Sequence, residues 1–207
     1  MKKITIILFS VLFILLVNQN VHAQLVKIGA GGGLTNVSGP DSYTKDVSED
    51  GNGFSSEYNF GIIAKVDLPL FPLTPRGFVL FHNLNGSGTP TGSTTEVENS
   101  QTITSAGLGV HYAFIPVPAG FDPYISLDAT FNNFGDLTVK TGSNEEKFSG
   151  GSRVGLQAGL GTEVTIIPLI NLDVFAGYNW FNLTGKEDGE DTITAFVLDV
   201  FLMFNFL

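Results

Sequence analysis

The chain has 207 residues, a formal net charge of −10, 18 phenylalanines and no cysteine. The acidic balance excludes nucleic acid as a partner, because phosphate binding needs clustered lysine and arginine. The aromatic content excludes a disordered chain, and no stretch beyond the N-terminal segment has the roughly 18 uninterrupted apolar residues that a membrane-spanning helix needs.

The N-terminal segment has the pattern of a secretory signal peptide. Two lysines precede an apolar run (residues 4–17), and a small-residue motif ends at Ala23. We therefore predict a signal peptide over residues 1–23, cleaved before Gln24, and one domain over residues 24–207. A membrane-anchoring helix is the alternative, but the apolar run is shorter than the roughly 20 residues that a spanning helix needs.

Beyond the signal peptide, apolar and polar residues alternate with a period of two. In one run, for example, Leu108, Val110 and Tyr112 alternate with Gly109 and His111. A strand sorts residues to two faces in this way, whereas a helix does not. The pattern predicts eight strands, at about 26–37, 54–68, 78–85, 101–115, 124–134, 152–167, 171–183 and 192–207. Most of them are long enough for tilted membrane strands of about 9–11 residues.

The connections between these strands alternate between long and short. The long polar connections are 38–53, 86–100, 135–151 and 184–191, and the compact ones are 69–77, 116–123 and 167–170. All prolines lie in connections or at strand edges, as a sheet requires. Such alternation is expected when one end of a barrel faces the outside and the other the periplasm. We therefore predict an all-β fold, an eight-stranded antiparallel up-and-down transmembrane β-barrel with both termini at the short-turn end.

The last predicted strand carries aromatic residues as far as Phe206. An apolar strand of this kind invites aggregation when it lies at a sheet edge. The hazard disappears if residues 192–207 pair with residues 26–37 and turn their apolar row toward lipid. In that arrangement Phe201 and Met203 fall on the inward side, so this strand is apolar on both faces.

Three features together carry a family resemblance: the signal peptide, the glycine-rich first strand from Lys27 to Leu34, and the aromatic-ended last strand from Phe196 to Leu207. With these features the chain resembles the eight-stranded outer-membrane β-barrel family of OmpA- and OmpX-like proteins. The resemblance implies a place in the bacterial outer membrane with periplasmic termini. It also implies contact with outer-membrane lipids and, during biogenesis, with the export and barrel-insertion machinery. One departure is that members usually end in Phe or Trp, whereas this chain ends in Leu207.

A set of ionisable side chains is predicted to face the barrel interior. These lumen residues are Lys27, Glu57, Lys65, Asp128, Arg153, Glu163, Asp173 and Asp199. Lone charges in a confined interior are costly, so we expect them to form pairs or to meet water. Interleaved glycines such as Gly107 and Gly159 make room for the larger groups. The interior of eight strands is only wide enough to be filled by side chains, so no constitutive solute pore is expected.

Two of these carboxylates are expected to be neighbours. The short turn between the sixth and seventh strands places Glu163 and Asp173 at nearly the same height. Such a pair could act in acid–base chemistry or hold a cation. We expect instead that the two carboxylates are partly hydrated, near the mouth of the barrel at the short-turn end.

Aromatic side chains concentrate near the predicted strand ends on the opposite, outward face. The predicted membrane-interface set is Tyr58, Phe60, Phe131, Tyr178 and Trp180 toward the long loops and Tyr112, Phe114, Phe204 and Phe206 toward the short turns. Two such girdles are typical of membrane barrels. The alternative, the core of a soluble sandwich, does not explain a polar opposite face.

Acidic residues concentrate in the long loops, most densely from Gly185 to Asp191. A solvated surface explains them, and divalent cations that bridge loops and anionic lipids are a second interpretation. The segment lacks the residue spacing of an EF-hand loop.

No catalytic, metal or cofactor site is predicted. His82 and His111 are the histidines beyond the signal peptide, and neither belongs to a His-x-Ser pattern, a paired metal-ligand motif or a serine-hydrolase elbow. His111 is expected to be a hydrogen-bonding residue of the lumen. The sequence favours a non-enzymatic barrel with an envelope structural or surface-interaction role. The alternatives are a soluble exported barrel that binds an apolar ligand and an outer-membrane lipid-modifying enzyme.

Overall fold

The computed structural model describes residues 25–68, 72–114 and 120–206. The predicted signal peptide, its cleavage site at Ala23 and Gln24, and Leu207 lie outside the described residues. In the described part of the chain, no helix is long and apolar enough to cross a membrane.

Ten β-strands account for most of the described residues. They are β1 (Leu25–Gly39), β2 (Ser56–Asp67), β3 (Leu73–Gly88), β4 (Val97–Ala113), β5 (Phe121–Phe134), β6 (Leu137–Thr141), β7 (Asn144–Phe148), β8 (Ser152–Ile167), β9 (Ile170–Thr184) and β10 (Thr194–Phe206). Two short helical turns lie between β1 and β2: α1 (Asp41–Thr44) and a 3-10 turn (Val47–Glu49).

Eight of the strands form a closed antiparallel barrel, which confirms the predicted fold class. Each of β1, β2, β3, β4, β5, β8, β9 and β10 pairs with its neighbour in this order, and β10 pairs with β1 to close the barrel. We call the end with the short connections the turn end and the end with the long connections the loop end. All eight strands lie where they were expected, although β3 begins at Leu73 rather than near residue 78.

The early starts of β3 and β5 correct the expectation that prolines lie outside the strands or at their edges. Pro75 lies within β3 and Pro123 within β5. The described pairing gives each proline a partner on one side only, since Pro75 pairs with Val110 and Pro123 with Thr162. A proline is tolerated there because its missing N–H is not needed on the unpaired side.

The seam between β1 and β10 has the predicted arrangement of faces. The outward row of β10 from Phe196 to Phe206 is between 41% and 52% exposed, while Phe201 and Met203 are buried inside the barrel. The two backbones approach closely along this seam. A Cβ atom added at Gly33 would lie 1.8 Å from the carbonyl oxygen of Leu198.

The third long connection is not a loop, contrary to the sequence-based expectation. Most of it forms a hairpin of β6 and β7, and β6 also pairs with the start of β4. The hairpin therefore extends the barrel wall beyond the loop end. All residues of β7 are exposed, so the strand has no apolar face and no alternation that could have revealed it.

The interior is filled in layers. Charged residues lie toward the turn end, and a cluster of Ile63, Phe78, Leu80, Phe201 and Met203 lies further along the lumen. At the loop end lies an apolar cap formed by Val37, Phe54, Leu84, Ile103, Phe134, Phe181, Ile193 and Ala195.

The interleaved glycines make room for large inward groups, as expected. A Cβ atom at Gly107 would lie 2.2 Å from the Phe78 ring, and one at Gly159 would lie 2.5 Å from the Phe175 ring. These aromatic rings therefore occupy the space that side chains at the two glycines would take. The lumen is more apolar than the sequence-based list of charged residues suggested.

We expect Gly33→Ala to destabilise the barrel, because the new methyl group meets backbone rather than a movable side chain. The overpacking should lower the free energy of unfolding by about 1–3 kcal/mol. The measurement is denaturant unfolding of protein refolded in detergent micelles. Gly39→Ala is the matched control on the same strand, because its Cβ would come no closer than 3.3 Å to the Thr194 hydroxyl. Equal stability of the two variants would contradict the seam geometry.

Candidate functional site

The charged layer at the turn end is built around two buried lysines. The Nζ atom of Lys65 lies 2.7 Å from Asp173 Oδ2 and 3.3 Å from Glu163 Oε2. Lys27 pairs with Glu163 and lies 2.7 Å from Asp67 Oδ2. We call these five residues the turn-end ion network. The lysines neutralise most of the carboxylate charge within the layer.

Glu163 and Asp173 face each other across β8 and β9, which confirms the predicted register. Their expected partial hydration is wrong for Asp173, which is completely buried, whereas Glu163 is 4% exposed and lines a cavity of about 190 Å³ at the turn end. The reason is that Lys65 lies between the two carboxylates and replaces the water that would otherwise separate them. Asn171 also donates a hydrogen bond to Glu163.

A second buried ion pair lies further along the lumen. Arg76 Nε donates to Asp128 Oδ1 at 2.7 Å, and Nη2 donates to Asp128 Oδ2 at 2.5 Å. The guanidinium carbon also lies 4.7 Å from the centroid of the Phe175 ring. This bidentate geometry satisfies the buried Asp128 carboxylate far better than a single contact would.

Arg76 was missed because the sequence placed it in a compact turn. A signal existed, since Arg76, Phe78, Leu80 and His82 are spaced two residues apart and all point inward. The alternation of the third strand therefore continues toward the turn end through Arg76.

Asp199 is buried without an ion-pair partner among the described residues. Its Oδ1 accepts a hydrogen bond from Asn59 Nδ2 at 2.8 Å. The same Asn59 nitrogen lies 3.0 Å from Thr35 Oγ1, which lies 2.8 Å from His82 Nδ1. These four residues form a continuous chain of hydrogen-bonding groups in the lumen.

Tyr124 links the turn-end ion network to His111. Its hydroxyl donates to Asp173 Oδ1 at 2.7 Å, and Lys65 Nζ lies 4.8 Å from its ring centroid. His111 stacks on the same ring with a centroid separation of 4.3 Å. His111 was expected to be a hydrogen-bonding residue, but its Nδ1 has no partner among the described residues. Stacking is the contact that the structure gives this imidazole.

Glu57 and Arg153 do not belong to the buried lumen layers, although they were predicted with them. Both lie within the first two residues of strands that begin at the loop end. Glu57 is half-buried there and accepts a hydrogen bond from Asn85. Arg153 pairs instead with the last long loop, 2.8 Å from Glu190 Oε2 and 3.3 Å from Glu187 Oε1.

The last loop is held at the mouth of the barrel through Glu190. This carboxylate accepts hydrogen bonds from Arg153, from Asn182 at 2.6 Å and from the Glu187 amide at 2.9 Å. Burial alone would raise the pKa of Glu190, but these donors and the guanidinium charge lower it below its ordinary value. The loop therefore depends on an ionised glutamate.

The first loop is folded across the mouth as well. Tyr43 packs against Phe54 of the apolar cap, and its hydroxyl donates to Gln101 Oε1 at 3.1 Å. Burial and the nearby Glu190 carboxylate raise the pKa of Tyr43 to about 12. Asn99 donates to the Asn52 carbonyl at 3.0 Å, which fixes the loop to β4.

The acidic segment from Gly185 to Asp191 is the densest group of loop carboxylates for the second interpretation, divalent-cation bridging. Its Glu187 and Glu190 share the Arg153 guanidinium. In the described residues, no group of three or more His, Asp or Glu side chains could hold a metal ion. Cation binding at the acidic loops stays a prediction.

The nine predicted interface aromatics lie on the outward side of the barrel. Tyr58, Phe60, Phe131, Tyr112, Phe114, Phe204 and Phe206 are each more than 40% exposed. Tyr178 and Trp180 are half-buried against each other, with centroids 4.9 Å apart. Their position at a membrane interface stays a prediction.

We expect Arg76→Met to destabilise the barrel by about 3–5 kcal/mol, because it leaves the Asp128 carboxylate buried without its cation. The double variant Arg76→Met/Asp128→Leu should recover most of that loss, since no unpaired charge remains. The measurement is denaturant unfolding in micelles, followed by the fluorescence of Trp180, the only tryptophan.

Lys147→Met is the control for this experiment. Its ion pair with Glu145 is exposed, so the variant should change stability by less than about 1 kcal/mol. A single Arg76 variant that is as stable as the control would contradict the role of the buried pair.

We expect the last loop to loosen as the pH falls. The folded-state pKa of Glu190 is below its ordinary value of 4.5, so its stabilising contribution is present above about pH 4.5 and is lost as the pH falls through the lower folded-state value. The Ile193 amide, which donates to Asn182 Oδ1, reports this change in an NMR titration. Glu190→Gln should remove the transition, whereas Glu187→Gln, at a side chain 81% exposed, should leave it in place.

The barrel is similar in structure to several solved outer-membrane proteins. The barrel resembles a major outer membrane protein of Thermus thermophilus, with a TM-score of 0.59, 15% identity, and coverage of 89% of this chain and 100% of that one. It also resembles Ail, the attachment invasion locus protein of Yersinia pestis, with a TM-score of 0.55, 14% identity, and coverage of 89% and 100%. A second Ail structure, in complex with the heparin analogue sucrose octasulfate, gives a TM-score of 0.50, 14% identity, and coverage of 88% and 100%.

At these identities the structural likeness shows the fold alone. None of the curated proteins matches the sequence. The decisive match is to the family described as "Outer membrane protein beta-barrel domain", which covers residues 9–204. The chain therefore belongs to the outer membrane protein beta-barrel domain family, whose place is the bacterial outer membrane.

Proposed function

We propose that this protein is a non-enzymatic barrel with an envelope structural or surface-interaction role. In this proposal the loop end faces the outside and both termini face the periplasm. The observation that carries the proposal is the filled lumen, in which buried ion pairs and an apolar cap occupy the space that a transport pathway would need.

The lumen supports this proposal over a solute channel. The cavity bounded by Arg76, Phe175 and Asp199 has a volume of about 10 Å³, close to the lower limit for a single water. Above it, the apolar cap closes the loop end with residues from several strands and from both the first and last loops. A solute would have to break ion pairs and displace the cap to pass.

The same packing argues against the two alternatives. A soluble barrel for apolar ligands needs an apolar internal cavity and a polar outer wall, whereas this wall exposes a broad apolar surface that suits outer-membrane lipids. For a lipid-modifying enzyme, the hydroxyl and imidazole of Thr35 and His82 are suitably close at 2.8 Å. Both residues are completely buried, so no lipid substrate reaches them.

The charge of the loop end supports a cationic partner. Sucrose octasulfate, the ligand of the Ail complex, is an anionic heparin analogue. Here Glu187 and Asp188 are exposed in the last loop and Asp41 and Glu49 in the first. Such a surface repels polyanions and attracts positively charged partners at long range. Divalent cations that bridge these acids to anionic lipids are part of the same proposal.

We expect the protein in the outer-membrane fraction, with a faster gel mobility before boiling than after, because an unboiled barrel stays closed in detergent. Recovery as a soluble periplasmic protein after osmotic shock would overturn the proposal.

We also expect the purified protein to show no steady ion conductance in planar lipid bilayers, because the lumen is filled by side chains. A stable open channel would contradict the closed lumen.

The orientation of the barrel in the membrane can be tested by cysteine labelling in cells that express the protein. Because the chain has no cysteine, each introduced cysteine is the single labelling site. In intact cells, a membrane-impermeant maleimide should label Lys147→Cys, on the exposed hairpin. It should label the matched variant Leu169→Cys, in the exposed turn between β8 and β9, only after permeabilisation. The reverse pattern would place the termini outside.

A further inference from the structure

The loop end contains a pocket of about 300 Å³ between the first loop, the β6–β7 hairpin and the last loop. Its lining includes Phe134 and Ile193, which belong to the apolar cap and are 7% and 3% exposed. The pocket therefore reaches down to the hydrophobic interior of the barrel mouth. We call it the loop pocket.

One wall of the loop pocket is an exposed aromatic residue. Phe148 ends β7 and is 54% exposed, although it lies on a polar hairpin and away from the lipid-facing rows of the barrel. Its neighbour across the hairpin is Leu137, which packs against the apolar cap. A pocket lined by apolar and aromatic side chains together with a few polar groups is typical of a binding site.

The rim of the loop pocket is acidic. Glu187, Asp188 and Glu190 line it, with Arg153 as the single cation among them. Arg153 already pairs with Glu187 and Glu190, whereas Asp188 is exposed and has no ion-pair partner among the described residues. The rim thus keeps a net negative charge next to an apolar floor.

We propose that the loop pocket binds a basic polypeptide segment, with one large apolar side chain in the cavity and neighbouring lysine or arginine residues on the acidic rim. The proposal rests on the surface-interaction role and names the partner chemistry for it. The pocket volume suits one side chain rather than a whole lipid, and the rim repels anionic head groups. Apolar burial supplies affinity, and the charges supply selectivity.

The test uses the full barrel refolded in zwitterionic nanodiscs and a fluorescein-labelled peptide. The probe has a central phenylalanine between two pairs of lysines. Matched peptides replace the phenylalanine with alanine, or the lysines with glutamates. Binding is measured by fluorescence anisotropy at low and moderate salt. We expect the phenylalanine peptide to bind about tenfold more tightly than the alanine peptide, and the glutamate peptide not to bind.

Variants of the protein separate the two parts of the site. Phe148→Ser should remove the preference for phenylalanine, and Phe148→Leu should restore most of it. Glu187→Gln/Asp188→Asn should weaken binding of both lysine peptides by about threefold or more and reduce the salt dependence. Glu98→Gln, an exposed acid outside the loop pocket, should change neither.

Equal binding of the phenylalanine and alanine peptides would overturn the proposal, as would an unchanged preference in Phe148→Ser. Phenethylamine as competitor distinguishes a polypeptide site from a small-cation site. Displacement of the peptide at equal concentration would show that the chain of the peptide adds nothing, and would overturn the proposal. A heat-modifiable outer-membrane barrel that fails to discriminate between the peptides would refute the loop pocket and leave the proposed function intact.

Discussion

The neutralisation of buried charge by Lys65 is the constraint on which the rest of the barrel depends. Eight strands close around a space that only side chains can fill, so each inward ionisable group must find its partner across the lumen. Lys65 meets this requirement for Glu163 and Asp173 at once. Without it, two carboxylates would face each other in a dry interior, where their repulsion and desolvation would oppose closure.

The other layers follow from the same limit on space. Where the lumen holds Arg76 and Asp128, the aromatic rings of Phe78 and Phe175 lie over glycines of neighbouring strands. Toward the loops the lumen becomes apolar, and the first and last loops complete the cap. The interior and the loop end are therefore packed together, and the surface of the loop end is built on the same residues that block the lumen.

Much of the wall was predictable from the sequence, whereas the contacts inside it were only partly so. Alternation with a period of two located the strands because it reports only which face each residue occupies. Glu163 and Asp173 could be paired in advance because a short turn fixes the register of its hairpin. The partners of Lys27 and Arg76 depend on the tilt of strands across the barrel, which no local pattern records.

The other differences between the predicted and the observed structure lie near strand ends. Alternation with a period of two assigned Glu57 and Arg153 to the inward face, but it does not say how far along the lumen a residue lies. The hairpin of β6 and β7 was hidden because every side chain of β7 is exposed, so that strand has no apolar row. The hairpin is defined by backbone pairing, because β6 pairs with the start of β4.

The hairpin also divides the surface of the loop end into parts with different freedom to change over evolutionary time. Residues of the first loop such as Tyr43 pack on the apolar cap, so their replacement disturbs the barrel mouth. The turn between β6 and β7, at Gly142 and Ser143, is exposed and does not belong to the apolar cap. Sequence drift and insertions can accumulate at this tip without a cost in folding. The tip of the hairpin is therefore the part of the loop end where related barrels can differ most at the least cost to the fold.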